Sequence, residues 1–213
     1  MRRNSLILFV VLLVLATLGW AGWANFEYRK QTAEQRMATM AQGELIADTN
    51  SASPQLLSPL IGKPASAFTL EDLNGKKVSL TDYKGRALMI NFWATWCAPC
   101  KIETPWIIEL RNKYSGQGFE VLGISADDLD RDDKQKLADD KQAIRRAATQ
   151  LHIPYPILFD GDSISTLYGG LDSLPTSYFI DRKGKIVAAQ LGLTSKDEME
   201  KNIQKALAEA STR

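Results

Sequence analysis

Apolar and polar residues alternate in blocks along the chain, and the longest apolar block lies near its beginning. Residues 6–23 (LILFVVLLVLATLGWAGW) carry no charge and as a helix span about 27 Å, close to the hydrocarbon thickness of a bilayer. Two arginines precede this block and a tryptophan ends it. Positive charges and tryptophans are both typical of the ends of membrane-spanning helices. The pattern favours a retained signal anchor over residues 1–24, although Gly22-Trp23-Ala24 also fits the cleavage site of a removed signal peptide.

Residues 25–59 separate this anchor from the globular part of the chain. Good helix formers dominate residues 27–46, but a broad apolar stripe that would pack against another element is missing. Ser, Thr, Asn and Pro dominate residues 47–59, a composition typical of flexible linkers. We therefore expect a helical stalk and a flexible tether over 25–59, followed by a globular domain over 60–213.

Within the globular part, the apolar pattern predicts alternating strands and helices. Near-continuous apolar runs are typical of strands that are buried on both faces, and Asn74-Gly75 between two short runs predicts a β-hairpin. The predicted strands are Ala67–Leu70, Lys77–Leu80, Ala87–Ala94, Phe119–Ser125, Pro156–Phe159, Thr176–Ile180 and Ile186–Leu191, and the predicted helices are Ala98–Tyr114, Gln142–Leu151 and Ser195–Ala210.

The order of these elements predicts the fold class. Strands that alternate with helices indicate an α/β fold, with a mixed sheet and helices on both of its faces. Pro105 is expected to interrupt the helix Ala98–Tyr114. The stretch Asp127–Lys141 is crowded with charge and is predicted to be an exposed insertion.

Composition narrows the possible functions. The 213 residues are 45% hydrophobic and 24% charged, with a formal net charge of +1. This is ordinary globular usage, and so balanced a charge does not attract nucleic acid. Two cysteines exclude a disulfide-dense small protein and a four-cysteine zinc site. No resident cofactor or metal is predicted, so the candidate chemistry rests on the cysteine pair.

Cys97 and Cys100 lie where the predicted strand 87–94 gives way to a helix. The free N–H groups and the dipole at a helix start favour a thiolate, which is the form that attacks disulfides. We therefore expect Cys97 to be an exposed nucleophile. Cys100 lies on the same helical face and is expected to be the more buried, resolving thiol, so that the two form a reducible Cys97–Cys100 disulfide.

Other interpretations of the cysteine pair stay open at this point. A structural disulfide would close a very short loop and would therefore add little stability. A two-thiolate site for Cu(I) or zinc is another, but the single histidine, His152, has no evident link to the pair. A cysteine hydrolase would need His152 as its base, and the peroxiredoxin Thr-x-x-Cys pattern is absent because residue 94 is Ala94.

Residues 91–105 (NFWATWCAPCKIETP) resemble the active-site stretch of the TlpA/ResA-like membrane-anchored thiol–disulfide oxidoreductases, a family of the thioredoxin superfamily. The resemblance extends from about Gly62 to the C-terminal helix. Further matching motifs in the same order are Phe68-Thr69-Leu70, Leu73-Asn74-Gly75-Lys76, Leu174-Pro175-Thr176, Phe179-Ile180-Asp181 and Gly184.

This resemblance implies a thioredoxin fold with an N-terminal β-hairpin and a central insertion. It also implies that the Leu174–Pro175 peptide is cis and lies opposite the cysteines. Backbone groups there would pair with an extended substrate segment, which makes Leu174, Pro175 and Thr176 candidate substrate-binding residues. Trp96, which adjoins Cys97, is expected to line the same groove.

Glu103 is the third candidate catalytic residue. Asn91 stands where thioredoxin itself has a buried aspartate, and an amide cannot shuttle protons. Glu103 lies three residues after Cys100 on its helical face, where the resembling family also has a glutamate. A partly buried carboxyl there would have a raised pKa and would exchange a proton with Cys100. The alternative is a solvated first-turn glutamate that only complements the helix dipole.

The resemblance implies an exported, membrane-tethered reductant of protein disulfides. Such relatives act on apocytochrome c cysteines or on copper-site assembly factors, and a membrane electron donor recharges them. We expect a single-pass protein of the cytoplasmic membrane, with residues 6–23 in the lipid and the catalytic domain on the periplasmic side. Alternatives are a thiol oxidase or isomerase, and a Cu(I)-binding module that uses the same cysteines.

Overall fold

The computed structural model describes residues 58–208. The predicted anchor over 1–24 and residues 25–57 of the predicted stalk and tether lie outside the described residues, as do residues 209–213. In the described range, no helix is both long and apolar enough to cross a bilayer.

The elements follow the predicted order. The chain begins with the predicted hairpin of β1 (Thr69–Glu71) and β2 (Lys77–Ser79), in whose turn the Asp72 carboxylate accepts two backbone N–H groups. The later strands are β3 (Ala87–Trp93), β4 (Phe119–Ser125), β5 (Ile157–Leu158), β6 (Thr176–Ile180) and β7 (Ile186–Leu191), and the α-helices are α1 (Ala98–Tyr114), α2 (Lys134–Gln150) and α3 (Lys196–Ala208).

Strand β3 lies at the centre of a five-stranded sheet with the order β5-β4-β3-β6-β7. It pairs in parallel with β4 and antiparallel with β6, which places Asn91 beside both Gly123 and Ser177. β5 continues the parallel side and β7 the antiparallel side. The predicted mixed α/β sheet is confirmed, and the carboxyl ends of β3 and β4 meet at one edge of it.

Both faces of the sheet are covered, so β3 and β4 are buried along their whole length and are largely apolar. Met89 belongs to a cluster to which all three α-helices contribute, for example through Ile203 of α3. On the opposite face, the ring centroids of Phe92 and Tyr168 are 5.5 Å apart. That face is covered by the hairpin and a 3₁₀ helix, Gly161–Tyr168, a segment for which no element was predicted.

Helix α1 has the predicted bounds, but Pro105 does not interrupt it. Proline has no N–H, so the Lys101 carbonyl loses its hydrogen-bond partner within the helix. The loss of one such bond bends a helix without ending it. Just before this point, the Thr104 hydroxyl donates to the Cys100 carbonyl at 2.7 Å. This contact ties the first turn of α1, which carries both cysteines, to the rest of the helix.

The prediction that Asp127–Lys141 is an exposed insertion is correct about the exposure of its second half but missed that this half is helical. Helix α2 begins at Lys134, well before the predicted start, and the Asp133 carboxylate caps it by accepting the N–H of Gln135 at 2.8 Å. Only Ile144 and Ala148 of α2 are buried. The apolar pattern therefore missed the first half of the helix, because that half is charged and exposed.

Gly161 begins the 3₁₀ helix where the chain passes the end of β4. A Cβ at this position would lie 2.7 Å from the backbone oxygen of Ser125, closer than real Cβ contacts come. Because a backbone atom cannot rotate aside, only glycine fits here without a shift of one segment. At Gly116, by contrast, a Cβ would meet nothing within 4 Å.

We predict that Gly161→Ala lowers the free energy of unfolding by about 1–3 kcal/mol, the usual cost of overpacking. Gly116→Ala is the matched control and should change it by less than about 0.5 kcal/mol, as surface substitutions do. Urea unfolding of the oxidised protein, followed by tryptophan fluorescence, measures both. Equal stabilities of the two variants would contradict the close approach at Gly161.

Candidate active site

The cysteine pair lies just after the carboxyl end of the central strand β3. It ends at Trp93, and α1 begins at Ala98 after a short loop. Cys97 is the N-cap residue of α1 and Cys100 lies in its first turn, and their sulfurs form a disulfide with 5.3 Å between the Cα atoms. The predicted Cys97–Cys100 pairing is thus present, in its oxidised state.

The first turn of α1 directs backbone dipoles at the sulfur of Cys97. The Cys100 N–H donates to Cys97 Sγ at 3.2 Å, and Pro99 occupies a first-turn position that needs no N–H. Free N–H groups and the positive end of the helix dipole stabilise negative charge at this place. In the reduced protein, this arrangement favours the thiolate of Cys97.

The expectation that Cys97 is exposed is wrong for the oxidised state. Cys97 is 3% exposed and Cys100 1%, because both side chains turn into the apolar cluster beneath α1 to form the disulfide. The neighbouring residues turn outward instead, with Trp96 69% exposed. Cys97 still lines a surface groove.

That groove has a volume of about 480 Å³ and lies between the cysteine loop and the segment before β6. Trp96 and Leu174 both line it, as predicted. The Leu174–Pro175 peptide is cis, also as predicted. Pro175 and Thr176 are buried and do not form part of the described lining, and the Thr176 hydroxyl donates to the Ser173 carbonyl at 2.7 Å. The remaining lining residues are Ala98, Pro99, Ala126, Asp162, Leu171, Asp172 and Ser173.

Asp127 fixes the loop that carries Cys97, a role that the sequence analysis missed. Its carboxylate accepts the N–H of Thr95 at 3.0 Å, the Thr95 hydroxyl at 2.6 Å and the Ser125 hydroxyl at 2.8 Å. The expectation of a wholly solvated stretch is therefore wrong at its first residue. The sequence did contain a signal for this contact: Thr95 follows β3 and Asp127 follows β4, and the carboxyl ends of these parallel strands lie side by side.

Glu103 is buried beneath the cysteine pair. It is 3% exposed, and burial raises the pKa of its carboxyl to about 7, against the opposing effect of one hydrogen bond from Asn91. The alternative of a solvated first-turn glutamate is thereby excluded. Glu103 and Cys100 lie three residues apart on the buried face of α1.

Asn91 holds this carboxyl in place through both hydrogens of its amide. Its Nδ2 donates to Glu103 Oε1 at 2.7 Å and to Ser177 Oγ at 3.0 Å. Because Nδ2 points at both partners, the amide oxygen points away from Glu103. Asn91 therefore replaces the buried aspartate of thioredoxin with a group that positions a carboxyl without titrating.

The charge of Glu103 also acts on a buried tyrosine. Tyr155 is buried, and both burial and the charge of Glu103 raise its pKa, so it stays neutral when Glu103 ionises. A Cβ on Gly123 would lie 2.3 Å from Ile157 Cδ1, 3.2 Å from Tyr155 and 3.5 Å from Trp93 Nε1, so the absence of a side chain here makes room for all three. Trp93 Nε1 itself is buried without a hydrogen-bond acceptor in the described protein.

Metal-ligating side chains do not gather near this site. Within residues 58–208, no group of three or more His, Cys, Asp or Glu side chains is arranged to hold a metal ion. His152 is exposed in the turn after α2, with a left-handed φ of 52°. The site therefore consists of the Cys97–Cys100 disulfide and the buried carboxyl of Glu103.

Comparisons with known proteins agree with this geometry. A model of the AhpC/TSA family matches residues 61–189. The thiol-disulfide oxidoreductase ResA of Bacillus thuringiensis subsp. konkukian is 36% identical over 146 residues, which cover 68% of this chain and 78% of the relative. The thioredoxin-like protein YneN of Bacillus subtilis is 34% identical over 142 residues, covering 67% and 78%.

The chain is a thiol–disulfide oxidoreductase of the ResA type within the AhpC/TSA family. A solved thiol:disulfide interchange protein of the thioredoxin family, from Chlorobium tepidum, has the same fold. It superposes with a TM-score of 0.58 at 26% identity and covers 68% of this chain and 96% of its own. Like other ResA-type oxidoreductases, this enzyme acts on protein thiols and disulfides.

For this ResA-type enzyme, we predict that Glu103→Gln flattens the pH dependence of stability. The folded pKa of about 7 exceeds the unfolded value of 4.5. Between these values the folded state keeps a proton that the unfolded state has released, so stability falls as pH rises through this window. At about 1.4 kcal/mol for each pH unit, the loss is about 3 kcal/mol.

Urea unfolding of the oxidised protein between pH 4.5 and 8 measures this loss. Glu109→Gln is the matched control, because Glu109 lies on α1 with a 63% exposed side chain paired to Lys196. In Glu109→Gln, the free energy of unfolding should decrease with pH as it does in the wild type. If it also decreases by the full amount in Glu103→Gln, the carboxyl of Glu103 is not the cause of the pH dependence.

Proposed function

We propose that this chain is an exported, membrane-tethered oxidoreductase that reduces disulfides of protein substrates with the Cys97–Cys100 dithiol. The observation that carries the proposal is the juxtaposition of three features. These are a sulfur at the N-cap of α1, a groove that this cysteine lines, and the buried carboxyl of Glu103, three residues after the second cysteine on the same helix.

The first step of the reaction is attack by the Cys97 thiolate on a substrate disulfide. A bond forms between Cys97 Sγ and one substrate sulfur, and the substrate disulfide breaks, so that its other sulfur leaves as a thiolate and takes up a proton. The donor at Cys100 N, 3.2 Å from Cys97 Sγ, and the helix dipole support the thiolate before attack.

The second step is resolution by Cys100. Its thiolate attacks Cys97 Sγ, the mixed disulfide breaks, and the second substrate sulfur leaves as a thiolate. Two electrons have then passed to the substrate, and Cys97–Cys100 is oxidised. Cys100 must lose its proton before it attacks, and Glu103 is the buried base on the same face of α1 with a pKa near the working pH.

Asn91 and Ser177 act as positioning residues in this proposal, since they hold the Glu103 carboxyl through the shared amide. Trp96 and Leu174 form the walls against which the substrate segment lies. Pro175 and Thr176 follow Leu174 in the buried segment that enters β6 and hold its backbone opposite the cysteines.

The setting of the enzyme is proposed from the sequence. Residues 1–24 anchor the chain in the cytoplasmic membrane, with residues 6–23 in the lipid and the catalytic domain on the periplasmic side. The family resemblance supports apocytochrome c or copper-site assembly factors as substrates. After each turnover, a membrane electron donor returns the Cys97–Cys100 disulfide to the dithiol.

We predict that Cys100→Ala, introduced into the full chain in its native cell, accumulates mixed disulfides with its substrates. Cys97 then still attacks, but no resolving thiol releases the product. Non-reducing electrophoresis and mass spectrometry of the trapped adducts identify the partners, and cytochrome c precursors or copper-site proteins are the expected ones.

The double variant Cys97→Ala/Cys100→Ala is the control and should trap nothing. Adducts that are no more abundant with Cys100→Ala than with the double variant would overturn the assignment of Cys97 as nucleophile. Stoichiometric Cu(I) binding by the reduced chain, together with an absence of adducts, would support the copper-binding alternative.

A further inference from the structure

The end of the sheet opposite the active site is rich in cations. Arg86 directly precedes β3, and the pairing of Ile180 with Leu88 brings the turn between β6 and β7 to the same end. The N-terminal segment also lies there, since the Ile186 N–H donates to the Lys63 carbonyl at 2.9 Å. We call this surface the basic end and define it by Lys63, Lys84, Arg86, Arg182, Lys183 and Lys185.

Most of these cations are available to an external anion. All four lysines of the basic end are exposed, and within residues 58–208 none of them forms an ion pair. Arg86 shares Glu120 with Arg111. The nearby Asp181 is buried, and one of its oxygens accepts the N–H groups of Lys183 and Lys185.

A groove of about 440 Å³ opens among these cations. Four cations, Lys84, Arg86, Arg182 and Lys183, line it together with the buried Asp181 and apolar residues such as Leu80. The cations outnumber the single carboxyl, so the groove suits an anionic group. The phosphate of a phospholipid headgroup is such a group.

The active-site end has a different character. Asp162 and Asp172 line the groove beside Cys97, and Asp128 follows β4 at the same edge of the sheet; all three are exposed. The cations at this end include Lys101, which is exposed beside the cysteines, so carboxylates and cations are mixed here. The four unpaired lysines of the basic end therefore favour its contact with an anionic surface over that of the active-site end.

The described chain also begins at the basic end. The Gly62 N–H donates to the Ile186 carbonyl at 2.8 Å, so residues just before Lys63 lie along the start of β7. The apolar run over residues 6–23 is N-terminal to this point. The link from a membrane anchor thus enters the domain at its cationic surface.

We propose that the basic end docks on the anionic phospholipid headgroups of the membrane and so directs the Cys97 groove away from the bilayer. The docking rests on the tether of the proposed function, which keeps the domain near the surface. Headgroup charges act over about one Debye length, roughly 8 Å at physiological ionic strength. The contact is therefore electrostatic and weakens in high salt.

Lysine footprinting of the full chain tests this docking. The protein is reconstituted into vesicles of phosphatidylcholine alone, or of phosphatidylcholine mixed with phosphatidylglycerol, and treated briefly with an amine-acetylating reagent. Phosphatidylglycerol should slow the acetylation of Lys84 and Lys183 by about threefold or more, and 1 M salt should restore it. Lys101, which is exposed beside the cysteines, should react at the same rate in both vesicles.

A charge-matched pair of double variants separates docking from general attraction. Lys84→Gln/Lys183→Gln should abolish the protection of Lys185, whereas Lys101→Gln/Lys134→Gln should leave that protection intact. Equal labelling in both vesicles, or equal protection of Lys84 and Lys101, would overturn the docking. Flotation of the same samples tests the tether separately: a chain that floats with neither vesicle overturns the tether and the docking together.

Discussion

The site depends on a single buried contact, the hydrogen bond from Asn91 in the central strand to the carboxyl of Glu103 in α1. A carboxyl that is 3% exposed loses most of its hydration, so its ionised form is disfavoured. One amide donor offsets part of this cost and leaves the pKa at about 7. The result is a carboxyl with a pKa near neutral pH, three residues after Cys100 on the buried face of α1.

Strand β3 makes this contact possible because it supplies Asn91 and also leads into the loop that carries Cys97. Its register with β6 places Ser177 beside Asn91, so that the amide is oriented from the neighbouring strand. Its end passes into the loop that Asp127 fixes from β4. Cys97 and Glu103 are therefore both positioned from β3, although one caps the following helix and the other lies within it.

Much of this architecture could be predicted from the sequence, because the features concerned have local causes. The limits of β4, β6 and α1 follow from apolar runs and from turn residues, and the cysteines at the helix start follow from their position after β3. The roles of Ser177 and Asp127 could not be predicted, since each depends on which strands become neighbours. The burial of Cys97 was missed because exposure depends on how the two sulfurs turn inward.

The central claim is that the Glu103 carboxyl governs the protonation of the cysteine pair. The most direct test is the rate of alkylation of reduced Cys97 as a function of pH, in the wild type and in Glu103→Gln. A carboxylate beside the pair disfavours a second negative charge, so the account predicts that the curve of the variant moves to lower pH. Curves that coincide would contradict the claim.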